Sequence, residues 1–175
     1  MVRRLFGGLI VLVTVLFVYN YFFKTPSFSS GEKAPEFEAT LIDGSAFKLS
    51  ELQGKYVLLD FWGSWCAPCR KDNPKLKSMY AQYANKNFQD AQGFEIVSIA
   101  LEKSDKLTRR IIEKEGLDWK YHIIDISRIV LMSDYAQLYS VKEVPTKFFI
   151  NPKGEIMGTN QSFEEMQRIL DERSL

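Results

Sequence analysis

Residues 56–69 read Tyr56-Val57-Leu58-Leu59-Asp60-Phe61-Trp62-Gly63-Ser64-Trp65-Cys66-Ala67-Pro68-Cys69. The first half is an almost unbroken apolar run of strand length, which is typical of a central strand buried on both faces. The second half places two cysteines three positions apart, at the start of a segment that reads as helix. A strand, a tight turn and a Cys-x-x-Cys pair that opens a helix together indicate redox chemistry.

The two cysteines, Cys66 and Cys69, are the only ones in the 175 residues. At a helix start the first backbone N–H groups lack partners and the dipole end is positive. A thiolate at Cys66 would be stabilised there, so its pKa should fall below the free value of about 8.5. Cys69 lies one turn further on the same side of the helix, where it can attack a mixed disulfide at Cys66 and release the partner.

Two other uses of a cysteine pair compete with the redox role. A zinc site would need two further ligands, and the chain holds no other cysteine and a single histidine, His122. An inert structural disulfide across so small a loop would constrain the unfolded chain little. The sequence therefore favours chemistry without a metal ion or an organic cofactor, and His122 is interpreted as structural because no motif accompanies it.

Length and composition limit the classes of protein that remain. The chain is 46% hydrophobic and 26% charged, which is typical of a folded protein. Its length suits one ordinary domain with an appendage. The formal net charge of +1 gives no electrostatic case for binding nucleic acid.

The N-terminal segment predicts a membrane anchor. Arg3 and Arg4 precede residues 5–23, which carry no charge. A helix over this range would be about 28 Å long, close to the thickness of a bilayer's hydrocarbon core. The two arginines should stay in the cytoplasm, which places the rest of the chain outside it. The predicted order is a cytoplasmic stub (1–4), a transmembrane anchor (5–23), a linker (24–33) and a folded domain (34–175).

A cleaved signal peptide is the alternative reading of this segment. Signal peptides usually have a shorter apolar core and end in a small-x-small cleavage site. No such site is visible near residues 21–24. The sequence favours an uncleaved anchor, with cleavage left open.

The motif and its surroundings resemble the thioredoxin superfamily. The resemblance rests on residues 60–70, on Pro74 and on Val144-Pro145-Thr146 in this order and spacing. It is greatest to the TlpA/ResA-like branch of membrane-anchored thiol–disulfide oxidoreductases and covers residues 31–175. It implies an α/β fold with a thioredoxin-like mixed sheet flanked by helices. The branch also carries an N-terminal β-hairpin and a helix–strand insertion, which Asp43-Gly44-Ser45 and the long interval before Pro145 fit.

Local patterns predict the elements around the motif. Helices are expected at residues 66–88, at 104–115 with Ser104 as its cap, at 127–139 and at 162–170. Strands are expected at residues 94–101, 119–124, 146–150 and 155–158.

The resemblance also suggests roles for individual residues. Asp60 matches a buried aspartate of thioredoxins and would accept the proton from Cys69, although a carboxylate satisfied by local hydrogen bonds is the alternative. Its pKa should be raised, because burial penalises the charged form. Pro145 is expected to follow a cis peptide bond and to face the cysteines. Trp65, Val144 and Pro145 would then shape the surface that binds substrate.

Asp72 lies one turn after Cys69, where the TlpA/ResA-like branch often has a glutamate thought to tune the cysteine pair. A solvated carboxylate in the first turns of a helix explains Asp72 equally well.

The predicted function is an extracytoplasmic thiol–disulfide oxidoreductase on the periplasmic side of the inner membrane. We expect it to reduce disulfides of client proteins, with electrons from a membrane donor, and the resemblance suggests apocytochrome c as a client. The residues between the cysteines, Ala67 and Pro68, include no histidine of the kind that strong oxidants of the superfamily carry, which favours a reductant. A peroxiredoxin-like enzyme is an alternative, but the Pro-x-x-x-Thr-x-x-Cys pattern is missing before Cys66. A thioredoxin-fold binding module or chaperone is another, which the intact cysteine pair disfavours.

Overall fold

The computed structural model describes Gly8, residues 10–17 and residues 28–175. Residues 10–17 are helical and exposed. Most of the predicted anchor, residues 5–23, lies outside the described residues. Within the described ranges, no helix has the length and apolar character needed to cross a membrane.

The folded part is built on a five-stranded mixed sheet with the strand order β5-β4-β3-β6-β7. The strand β3 lies at its centre, parallel to β4 and antiparallel to β6. The strand β5 extends the parallel half, and β7 extends the antiparallel half. These strands are β3 (Tyr56–Trp62), β4 (Phe94–Glu102), β5 (Tyr121–Ile126), β6 (Thr146–Ile150) and β7 (Ile156–Thr159).

Helices and a hairpin cover the sheet. A separate two-stranded antiparallel hairpin, β1 (Glu38–Thr40) with β2 (Ala46–Lys48), precedes the main sheet. The α-helices are α1 (Ala67–Tyr83), α2 (Lys106–Glu115), α3 (Asp134–Leu138) and α4 (Phe163–Arg173). Two short 3₁₀ helices lie at Leu49–Leu52 and Val130–Met132.

The core forms two layers because successive residues of β3 point to opposite faces of the sheet. All seven residues of β3 are buried, as the unbroken apolar run predicts. Leu58 and Trp62 pack on the face that carries α1, α2 and α4. Leu59 and Phe61 pack on the face that carries α3 and the hairpin. The strand is therefore held from both sides, and the turn that follows it has a fixed starting point.

The main architecture predicted from sequence is confirmed. The mixed sheet, the N-terminal hairpin and an inserted helix and strand, α2 and β5, are all present. Pro74 lies inside α1, which continues through it as one element. Ser162 caps α4 by accepting a hydrogen bond from the Glu165 backbone N–H at 3.1 Å.

Several predicted helix limits are wrong. The helix expected over residues 127–139 is instead the second 3₁₀ helix followed by α3, because Ile129 and Ser133 both have extended backbones. Ser104 does not cap α2, whose first flanking residue is Asp105. The helix α1 ends at Tyr83, short of residue 88.

The segment before the hairpin lies against the sheet. Phe28 packs edge-on against Phe148 at 5.7 Å between ring centroids. The Gly31 N–H donates to the Ile156 carbonyl oxygen at 2.9 Å, and the Ile156 N–H donates to the Glu32 carbonyl oxygen at 2.8 Å. Gly31 and Glu32, which the sequence analysis assigned to the linker, therefore pair with Ile156 at the start of β7.

Candidate active site

The cysteine pair lies where β3 turns into α1. Cys66 is the N-cap of α1, and its N–H donates to the Gly63 carbonyl oxygen at 3.0 Å, which closes the turn. Pro68 fits the first turn of α1, where its missing N–H leaves no helical bond unmade. The sequence pattern of strand, turn and helix thus places Cys66 at the positive end of the helix.

The two sulfur atoms are joined in a disulfide, with 5.3 Å between the Cα atoms of Cys66 and Cys69. The Cys69 backbone N–H donates to Cys66 Sγ at 3.2 Å. Both residues are almost fully buried, with Cys66 4% and Cys69 2% exposed. A negative charge on Cys66 Sγ would be favoured by this N–H and by the helix start.

The turn before β6 faces the cysteine pair. The Val144–Pro145 peptide bond is cis, which confirms the expectation for Pro145. The Val144 carbonyl oxygen lies 3.6 Å from Cys66 Sγ. The structure therefore brings Val144, predicted from sequence as a substrate-binding residue, next to the sulfur.

Asp60 is a buried acid on the sheet face that carries the cysteines. It alternates with Leu58 and Trp62 along β3, and those two residues pack in the same cluster as Cys66 and Cys69. Burial raises the pKa of Asp60 to about 6, which Lys147 opposes by its positive charge and Asp72 reinforces by its negative charge. The predicted rise in pKa is confirmed. The group can gain or lose a proton close to neutral pH.

Lys147 is a third charged residue that the sequence analysis did not single out. It lies directly opposite Asp60 in the β3–β6 register. Its Nζ is 3.6 Å from Asp60 Oδ1 and 2.7 Å from Asp72 Oδ2. A charged residue in each of two otherwise apolar strands was the available signal, since buried charges are usually paired.

Asp72 is tied to this buried group. Its side chain is 25% exposed and accepts the 2.7 Å hydrogen bond from Lys147 Nζ. Lys147 therefore links Asp72 to Asp60 through one ammonium group. Asp72 is thus not merely a solvated carboxylate of the first helical turns.

Trp65 lies at the surface beside the pair. Its side chain is 53% exposed, and its Nε1 donates to the Leu101 carbonyl oxygen at 2.9 Å. The indole is fixed against the end of β4 while one face stays open. This placement agrees with a surface role for Trp65.

His122 occupies a separate, structural position. It is buried in β5, stacks on Trp119 at 5.0 Å between ring centroids, and contacts the Leu117 carbonyl oxygen through Nε2 at 3.0 Å. Burial lowers its pKa to about 4, so it is neutral at physiological pH. In the described part of the chain, no three His, Cys, Asp or Glu side chains are grouped so that they could hold a metal ion.

Comparison with known proteins assigns the chain to a family. The model of the AhpC/TSA family matches residues 30–158, a range that includes the cysteine pair, Asp60 and the cis proline. The chain belongs to the AhpC/TSA family. The match covers the sheet and the redox turn but stops before α4.

Curated relatives place the chain more narrowly. It is 36% identical over 161 residues to the thiol-disulfide oxidoreductase ResA of Bacillus subtilis, covering 89% of this chain and 83% of the relative. It is 30% identical over 159 residues to ResA of Halalkalibacterium halodurans, covering 87% and 84%. The chain is a ResA-like thiol–disulfide oxidoreductase, so the predicted enzyme class is confirmed.

Solved structures of similar proteins support the fold. A thiol-disulfide oxidoreductase from Bacteroides fragilis superposes with a TM-score of 0.69 at 27% identity, covering 81% of this chain and 98% of that one. The thioredoxin domain of an oxidoreductase from Bacteroides vulgatus superposes with a TM-score of 0.70 at 23% identity, covering 82% and 99%. The second likeness supports the thioredoxin-like fold alone.

Asp60→Asn is expected to stabilise the protein at pH 7 by up to about 3 kcal/mol, because burial raises the pKa of Asp60 to about 6 in the folded state. The folded state holds the Asp60 proton more tightly than the unfolded state. Wild-type stability therefore falls as pH rises from about 4 to about 6, and the variant should lack this fall. Urea unfolding across this pH range measures the difference. The two proteins should converge near pH 4, and equal stability at pH 7 would contradict the assignment.

Proposed function

We propose that this chain is a membrane-anchored thiol–disulfide oxidoreductase that reduces disulfides of client proteins outside the cytoplasm. The observation that carries the proposal is the Cys66–Cys69 pair at the start of α1, on the same sheet face as a buried acid with a pKa near 6. A pair of this kind needs a stabilised thiolate and a proton acceptor, and both are supported by the geometry.

The reaction proceeds in two exchanges. The Cys66 thiolate attacks one sulfur of the client disulfide, forms a mixed disulfide and releases the first client thiolate. Asp60 accepts the Cys69 proton, and Cys69 then attacks Cys66 Sγ and releases the second client thiolate. The client gains two electrons and the protein ends with the Cys66–Cys69 disulfide. No metal ion or organic cofactor takes part, and a membrane electron donor restores the dithiol.

Client binding uses the surface around the sulfur. The backbone of Val144, beside the cis Pro145, pairs with an extended client segment by strand addition. The exposed face of Trp65 contacts the same segment. Asp72 acts through Lys147 on the charge of Asp60.

The N-terminal segment supplies the membrane attachment. The support is the uncharged range 5–23 after Arg3 and Arg4. A fusion of alkaline phosphatase to the C-terminus should be active, and the mature protein should retain Met1 or residue 2. A cytoplasmic C-terminus, or a mature protein that begins after residue 23, would contradict the anchor.

The direction of electron flow is set by the residues between the cysteines. Ala67 and Pro68 add no positive charge to favour the Cys66 thiolate, so the dithiol should be a good electron donor. We expect a reduction potential near the thioredoxin value of about −270 mV. Equilibration with glutathione or dithiothreitol buffers, followed by alkylation and mass spectrometry, measures it. A value near about −120 mV, typical of a strong oxidant, would contradict the reductase role.

The suggested client, apocytochrome c, can be tested in cells. Maturation of c-type cytochromes should fail without this protein and return with the wild-type chain. A Cys66→Ser, Cys69→Ser double variant should not restore it. Full restoration by the double variant would instead favour a binding module or chaperone.

A further inference from the structure

An apolar groove is lined by Trp65, the residue that directly precedes Cys66. Its volume is about 560 Å³, within the range of pockets that bind small ligands. We call it the indole groove. Its apolar lining consists of Trp65, Leu107, Ile129, Val130 and Leu131.

The indole wall of this groove is fixed in place. Trp65 Nε1 donates to the Leu101 carbonyl oxygen at 2.9 Å, and the Ser64 N–H donates to Glu102 Oε1 at 2.5 Å. A Cβ atom on Gly63 would lie only 2.7 Å from Trp65 Nε1, so glycine at this position lets the indole lie against the backbone. The wall is therefore formed before any partner arrives.

The opposite wall comes from the segment between β5 and α3 together with Leu107 of α2. Ser127 Oγ donates to the Ile129 carbonyl oxygen at 3.1 Å, and the Met132 N–H donates to the same oxygen at 2.8 Å. The Ser127 N–H donates to the Glu102 carbonyl oxygen at 2.9 Å. The side chains of Ile129 and Leu107 nevertheless remain 60% and 47% exposed. Exposed apolar side chains grouped around a concave surface mark a binding site.

We propose that the indole groove binds a bulky apolar side chain of the client, close in sequence to the client cysteine that Cys66 attacks. This inference rests on the proposed function. During exchange the client is covalently joined to Cys66 Sγ, and Trp65 is both the neighbour of Cys66 and a wall of the groove. A client segment joined to Cys66 Sγ therefore lies next to a residue that lines the groove.

The shape and polarity of the groove fit this occupant. It is concave and mostly apolar, so it accepts one large side chain and not the flat surface of a second folded copy. Glu102 is buried and already accepts the Ser64 N–H, while Lys103 and Ser104 lie at the polar part of the lining. These polar groups suit the backbone on either side of an inserted apolar residue. A preference for client segments with an aromatic or large aliphatic residue beside the cysteine follows.

The test uses two peptide disulfides that differ only in a Phe or an Asn next to the cysteine. The reduced wild-type chain should react with the Phe peptide about tenfold faster, measured as the second-order rate constant. Leu107→Gln should bring the two rates together. Leu138→Gln is the matched control, because Leu138 is a helical leucine of similar exposure, 41%, that does not line the groove. Ile129→Asn provides a second groove variant should Leu107→Gln fold poorly.

Bis(2-hydroxyethyl) disulfide separates failure of the groove from failure of the enzyme. It is small and polar, so wild type and Leu107→Gln should reduce it at the same rate. Equal rates for the two peptides in wild type, or a preference kept in Leu107→Gln, would overturn the groove's role. If the wild-type chain reduced none of the three disulfides, both the proposed function and the role of the groove would be overturned. A dimer in sedimentation that Leu107→Gln dissociates would assign the groove to a second copy and overturn the proposal.

Discussion

Cys66→Ser is expected to abolish disulfide reduction, because a serine hydroxyl is not ionised near neutral pH and cannot start the exchange. Cys69→Ser should keep the first step and lose the second. The client then remains attached to Cys66 as a mixed disulfide. Gel electrophoresis without reductant and mass spectrometry of the adduct distinguish the two variants.

The two cysteine variants control each other. Each removes the Cys66–Cys69 disulfide, so both lose whatever small stability that bridge adds to the folded state. Only the attacking sulfur differs between them. Residual turnover in Cys66→Ser, or an adduct on Cys69 in that variant, would reverse the assignment of attacking and resolving cysteines. The client captured by Cys69→Ser would also identify the natural partner.

Asp60→Asn is expected to slow the second exchange by about 100-fold at pH 7, since positioned proton transfer contributes factors of this size. In wild type the rate of the second exchange should rise as pH increases through about 6, where Asp60 loses its proton. The variant should lose this inflection and accumulate mixed disulfide. Rapid mixing with a peptide disulfide, acid quench and mass spectrometry follow the adduct with time.

Lys147→Met provides the matched control for the charge on Asp60. Lys147 opposes the effect of burial, so its removal should move the inflection above pH 6 without abolishing it. At pH values well above the inflection, the second exchange in Lys147→Met should return to the wild-type rate. A pH profile of Asp60→Asn identical to wild type would show that Asp60 is not the proton acceptor. Asp60→Asn is also expected to raise the stability of the folded state, so a slower second exchange in that variant could not be ascribed to unfolding.

Much of the site follows from local sequence. The apolar run 56–62 predicts a doubly buried strand, and the cysteine spacing with Pro68 predicts the helix start, because each depends on neighbouring residues alone. Resemblance adds the cis bond at Pro145. These three features are the strand that leads to the cysteine pair, the helix start that carries it and the cis-proline loop that faces it.

Features that depend on distant contacts were not predictable in this way. Lys147 meets Asp60 only through the antiparallel register of β3 and β6, which no local pattern encodes. The helix expected over residues 127–139 is interrupted by the extended backbones of Ile129 and Ser133, which the local apolar pattern does not reveal. The indole groove likewise requires Trp65 and Ile129 to meet across the fold.

The pairing of residues 31–34 with residues 154–156 bears on how open the outer edge of the sheet is to another chain. An outermost strand with free N–H and C=O groups is a template for another chain. Here the Ile156 N–H and C=O are both occupied, by Glu32 and Gly31, and the Ala34 N–H donates to the Gly154 carbonyl oxygen. The chain's own leading segment thus occupies the edge groups of Ile156, where β7 begins. Shortening the protein to begin after residue 34 should therefore make it prone to aggregate.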